Sequence, residues 1–201
     1  MLFALALLAA FPALAEPLRI LAFGDSLTAG FGLPSGQGFA RQLEEALAEK
    51  GIAAEVIDAG VSGDTTAGGL ARLDWSLADR PDLVILELGA NDMLRGIDPA
   101  ETRANLDEML SRLRAAETRI LLAGMRAAPN LGADYGGAFE RIYGELAAKH
   151  GVPLYPFFLE GVAADPKFNL PDGLHPNAAG VAEIVRRILP HVIAAAEMGR
   201  S

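Results

Sequence analysis

The sequence contains no cysteine, so disulfides, thiolate metal sites and a cysteine nucleophile are excluded together. Positive charge is also scarce. Seventeen Lys and Arg stand against 26 Asp and Glu, a formal net charge of −9, and no basic run appears. Nucleic acid is therefore not an expected partner, because phosphate binding needs clustered cations. Only three histidines are present, and no His-rich or carboxylate spacing typical of zinc or calcium occurs. Neither a phosphate-cradling P-loop nor a dinucleotide-binding glycine fingerprint is found, so no cofactor is expected. What remains is ordinary for a globular protein. With 51% hydrophobic and 21% charged residues in 201, the chain suits one domain with a sizeable core.

The first fifteen residues, MLFALALLAAFPALA, form an apolar run ending in Ala13-Leu14-Ala15. Small residues at these positions fit a secretory signal peptide cleaved after Ala15, and with it export to the periplasm or the medium. The segment carries no Lys or Arg before its apolar core, so retention as an anchor is the alternative. It is short for a bilayer span, which takes roughly 20 apolar residues. Residues 16–201 are expected to form the single domain.

Beyond it, short apolar runs alternate with amphipathic stretches. Leu18–Phe23, Ala53–Ile57, Leu83–Leu88, Arg119–Ala123 and Val152–Tyr155 read as strands buried on both faces of a parallel sheet. Gly38–Lys50, Thr65–Leu77, Pro99–Ala116, Tyr135–His150 and Asn177–Glu197 read as helices, with stripes such as Leu106, Leu110 and Leu113. This alternation predicts a three-layer α/β/α sandwich. Such sheets place ligands beyond the carboxyl ends of their strands. The residues there are small and polar: Gly24-Asp25-Ser26 after the first strand, Ser62-Gly63-Asp64 after the second, Gly89-Ala90-Asn91-Asp92 after the third, and Asp172-Gly173-Leu174-His175 before the last helix.

These loops hold the parts of an acyl-transfer site. Ser26 is a candidate nucleophile, although a serine at a helix start is more often only an N-cap. His175 is the candidate base, and Asp172 could hold its tautomer through a turn made by Gly173. His150 and His191 are expected at the surface. The backbone amides of Ser26 and Gly63 and the side-chain amide of Asn91 are candidate oxyanion donors, Asn91 having a turn role as its alternative. Asp25, Asp64 and Asp92 are expected to be structural. Met93-Leu94 and Phe157-Phe158-Leu159 lean towards an acyl pocket, with the core as the alternative for the phenylalanines. The Gly-x-Ser-x-Gly elbow is absent, since Gly60-Val61-Ser62-Gly63-Asp64 fails at its last position.

GDSLTAG, the glycine of SGD, GAND and DGLHP, in this order, resemble the four blocks of the SGNH (GDSL) hydrolases. SGDTTAGGLARL, VILELGANDMLRG and PLYPFFLEGV are similar in particular to the bacterial thioesterase I/protease I/lysophospholipase L1 and arylesterase group. Asp58 departs from the asparagine frequent before the second block. The resemblance implies a flavodoxin-like fold with five parallel strands and a cofactor-free esterase with a Ser26, His175 and Asp172 triad. It also implies oxyanion donors at Ser26, Gly63 and Asn91, and a mobile loop over Met93–Asp98 that adjusts to acyl chains. Small acyl esters, lysophospholipids or thioesters are the expected substrates. A carbohydrate O-acetyl esterase and a non-catalytic binding domain are the alternatives.

Overall fold

The computed structural model describes residues 16–198; the signal segment expected over residues 1–15 lies outside the described residues. Five parallel strands form one sheet: β1 (Leu18–Gly24), β2 (Ala54–Gly60), β3 (Leu83–Glu87), β4 (Arg119–Ala123) and β5 (Leu154–Tyr155), in the order β2-β1-β3-β4-β5. This is the flavodoxin-like order. The central strands β1 and β3 are buried along nearly their whole length, which is why they read as unbroken apolar runs. Edge strand β2 mixes exposed and half-buried positions. The other edge is shorter than the expected Val152–Tyr155, because Pro153 has no N–H to give to a ladder and Pro156 ends the strand after two residues.

The helices are α1 (Ser26–Ala29), α2 (Phe39–Glu49), α3 (Thr66–Ser76), α4 (Ala90–Leu94), α5 (Pro99–Ala115), α6 (Ala133–His150) and α7 (Ala178–Glu197). The five long ones fall within a residue or two of their expected bounds. In α2 the run FARQLEEALAE has no β-branched residue, and it buries Phe39, Leu43 and Leu47 on one stripe. Helices α2 and α7 pack together on one side of the sheet, and α3, α5 and α6 on the other. Leu106, Leu110 and Leu113 of α5 are fully buried, as their spacing implies. Truncating one such leucine to alanine typically costs about 2–5 kcal/mol. Asp98 caps α5 by accepting from Ala100 N–H at 2.9 Å, and Pro99 occupies the first turn, where its missing N–H is no loss. Helix α7 continues through the exposed Pro190.

Of the two histidines expected at the surface, one departs. His150 is not at the surface. It is buried at the end of α6, with Nε2 2.6 Å from Asp107 Oδ1, and ties α6 to α5. His191 is exposed, its ring edge-on to Tyr155. Among the described residues, no helix is long and apolar enough to cross a membrane.

Candidate active site

The chain leaves β1 at Gly24 and turns at once into α1. Asp25 is the cap of this helix: its Oδ1 accepts from Leu27 N–H at 2.9 Å. The capping role that Ser26 alone would suggest thus belongs to its neighbour. Ser26 becomes the first helical residue, with its side chain free for another partner. That partner is His175. Ser26 Oγ lies 3.0 Å from His175 Nε2, and His175 Nδ1 lies 2.7 Å from Asp172 Oδ2. These spacings suit a serine O–H donating to Nε2 while Nδ1–H donates to the carboxylate.

The loop before α7 is built to hold Asp172 still. Gly173 adopts φ +71°, a conformation disfavoured for a residue with a Cβ, and the turn it makes returns two backbone N–H groups to Asp172. Leu174 N–H and His175 N–H donate to Asp172 Oδ1 at 2.9 and 3.0 Å. These two bonds, and then the His175 ring, hold the Asp172 carboxyl down at about 2. Asp172 is therefore ionised wherever the protein is folded near neutral pH. The His175 carbonyl accepts from Leu170 N–H, so the loop is pinned from both sides.

The loops after β2 and β3 supply the other predicted groups. Gly63 sits at φ +85°, and its carbonyl accepts from Arg95 Nη2 at 2.7 Å. Asn91, on α4, donates from Nδ2 to Asp25 Oδ2 at 3.0 Å. That bond fixes which end of the amide faces Asp25 and places the nitrogen beside the residue preceding Ser26. Asp92 is fully buried and accepts from Thr66 N–H, Thr66 Oγ1 and Thr102 Oγ1, joining α3, α4 and α5. Asp64 pairs with Arg72 at 2.6 Å. All three aspartates have structural partners, as expected.

Beneath Ser26 lies a second acid. Glu87, the last residue of β3, is buried; its Oε2 accepts from Thr28 Oγ1 at 2.8 Å, and its Oε1 has no partner among the described residues. Burial, and then the charge of Asp25, push the Glu87 carboxyl well above its usual range. Burial likewise raises Asp25 to about 6, against the opposing bonds from Leu27 and Asn91. Asp58 is also raised by burial, and its Oδ1 accepts from Gly60 N–H.

Ser26, Asn91 and His175 open onto a cavity of about 420 Å³ whose wall is otherwise mostly apolar. Met93 and Leu94 line it as expected, Met93 buried and Leu94 half exposed. Phe157 and Leu159 also line it, whereas Phe158 is core, packed edge-on against Phe39. Sequence reasoning overlooked the wall formed by Met125 to Pro129. The signal was available, since this loop follows β4 as the others follow β1 to β3. Ala163 and Ala164 complete the wall without any chemical signature in the sequence.

Known proteins resemble this chain in sequence and fold. The family model described as "GDSL-like Lipase/Acylhydrolase family" matches residues 22–182. Esterase TesA of Pseudomonas aeruginosa is 43% identical over 172 residues, covering 85% of this chain and 86% of its own. Thioesterase 1/protease 1/lysophospholipase L1 of Escherichia coli K12 is 40% identical over 166 residues, 82% of this chain and 77% of its own. The crystal structure of AlinE4, an SGNH-hydrolase family esterase, superposes with a TM-score of 0.77 at 49% identity, covering 91% of this chain and 98% of that one. The chain belongs to the GDSL-like lipase/acylhydrolase family and is a carboxylic ester hydrolase of the SGNH type.

Proposed function

We propose that Ser26, His175 and Asp172 hydrolyse medium-sized acyl esters and thioesters through an acyl-enzyme, with the acyl chain in the cavity beside Ser26. The observation that carries this reading is the unbroken chain from Ser26 Oγ through the imidazole to Asp172, opening onto an apolar cavity. A cavity of about 420 Å³ is within the usual span of small-molecule sites, and its apolar wall suits alkyl chains better than an acetylated sugar.

In the first half-reaction, His175 Nε2 takes the Ser26 proton as Oγ bonds to the acyl carbon. The carbonyl oxygen gains negative charge and meets the Ser26 N–H, the Gly63 N–H and the Asn91 amide. Asp172, ionised, stabilises the imidazolium without accepting its proton. His175 then protonates the leaving oxygen or sulfur as its bond to the acyl carbon breaks. In the second half-reaction water, deprotonated by His175, attacks the acyl carbon, and the bond to Ser26 Oγ breaks as His175 returns the proton to Oγ and the acid leaves. Each step uses side chains of this chain.

The relatives named for thioesterase and lysophospholipase activity support acyl thioesters and lysophospholipids as candidate substrates. Export of the enzyme is part of the proposal, supported by the apolar leader; N-terminal sequencing of secreted protein should find Glu16 first. The decisive test is Ser26→Ala. Esterase activity should fall by roughly three orders of magnitude or more with the fold intact, and labelling by a fluorophosphonate probe should vanish. Retention of wild-type rates would overturn the assignment. Exclusive activity on acetate esters would favour the carbohydrate esterase instead.

A further inference from the structure

Phe31 has no role in the chemistry above, yet it lies against the base. Its ring centroid is 4.5 Å from that of His175, tilted by 38°. The residue stands in the loop between α1 and α2, and its N–H donates to the Ser26 carbonyl at 3.1 Å. Gly30 and Gly32, on either side, both have positive φ, so the chain bends sharply before and after it. Half of Phe31 is still exposed, and it is not part of the acyl-cavity wall, whereas His175 is. The imidazole therefore separates two apolar regions: the cavity, and the free surface of Phe31.

An ester has two halves, and the cavity accounts for one. The other must bring its leaving oxygen within hydrogen-bond reach of His175 Nε2, because that nitrogen supplies its proton. Whatever is attached to that oxygen leaves the site beside the imidazole and meets Phe31. Resting on the reading of Ser26 and His175 given above, we infer that Phe31 forms a leaving-group subsite that selects planar aromatic alcohols. Such a ring stacks, offset, on the exposed part of the phenyl group, while the acyl chain fills the separate cavity. Phe31 is thus a specificity-determining residue for the alcohol, independent of acyl-chain length.

The test compares 2-naphthyl and cyclohexyl butyrate, which share the acyl group, on wild type, Phe31→Leu and Phe31→Trp. The readout is the aryl-to-cyclohexyl ratio of kcat/KM, in which the intrinsic difference in leaving-group reactivity cancels between variants. Stacking contributions of the usual size predict a fall in this ratio of about two- to tenfold in Phe31→Leu, with the ratio kept or raised in Phe31→Trp. Equal losses on both esters, with or without a shifted pH profile, would show that Phe31 only steadies His175 and would overturn the inference. Fluorophosphonate labelling of Ser26 in all three proteins separates this failure from failure of the catalytic assignment.

Discussion

Replacing Asp25 by asparagine tests how the acids beneath Ser26 are held. Asp25 is fully buried, and its carboxyl is raised from 3.8 to about 6, chiefly by burial. The folded protein therefore binds this proton more tightly than the unfolded chain does. Stability contributed by the protonated group is complete below about 3.8 and is lost as pH rises through about 6. A rise of this size corresponds to about 3 kcal/mol over the full window. Asparagine does not titrate, and loss of the Asp25 charge also relieves Glu87, a change of the same sign, so it serves as the reference. Between about pH 4.5 and 7.5, which misses the lowest part of the window, wild type should lose about 2 kcal/mol relative to Asp25→Asn. Urea unfolding of both proteins across that range measures the difference, provided their m-values agree. A difference that stayed flat, or that moved in wild type's favour as pH rose, would refute the account. Activity should move the opposite way. An asparagine that keeps its oxygen on Leu27 N–H turns an amide towards Asn91, donor against donor. Asn91 then loses its orientation, and kcat should drop by up to the roughly 10²–10³-fold of a lost oxyanion donor.

Asp172→Asn leaves the loop geometry but favours the wrong imidazole tautomer, so kcat should fall by about 10³–10⁴ in steady-state ester hydrolysis. Asn91→Ala should cost roughly 10²–10³ in kcat with little change in KM, as expected for a contact made mainly in the transition state. Lengthening the acyl chain of p-nitrophenyl esters from acetate should raise kcat/KM by up to about fourfold per methylene until the cavity is full; a flat profile would speak against an acyl pocket at Met93 and Phe157. Asp92→Ala strands the Thr66 and Thr102 donors in the core, and about 3 kcal/mol of stability should be lost, read as a midpoint shift in urea.

What could be read from the sequence, and what could not, divides by physical cause. The strands β1 and β3 were legible because burial on both faces writes itself as an uninterrupted apolar run. The five-residue helix α4 was not, because it is too short to show periodicity; it is capped by Gly89, where an added Cβ would strike the Tyr143 hydroxyl. The hydrogen-bonded run of Ser26, His175 and Asp172 was legible because each member has a distinctive chemistry and ligand sites beyond the carboxyl ends of strands bring their loops together. Phe31 and Arg95 gave no such signal, since a loop phenylalanine and a loop arginine are common and acquire meaning only from their distances to His175 and Gly63. Glu87 is the instructive case. Its place in VILELG is visible as one carboxylate inside an apolar run, a local conflict between residue type and environment. Such conflicts concentrate where function is built, because a fold without a task there would have no reason to keep an acid in its core. Here the conflict lies against Asp25 and Thr28, on either side of Ser26. Glu87 accepts from Thr28 of the helix that Ser26 begins, and its carboxyl is raised in part by the charge of Asp25, which orients Asn91. Glu87 is thus the one acid in the apolar run Leu83–Leu88, and that misfit itself points to the site.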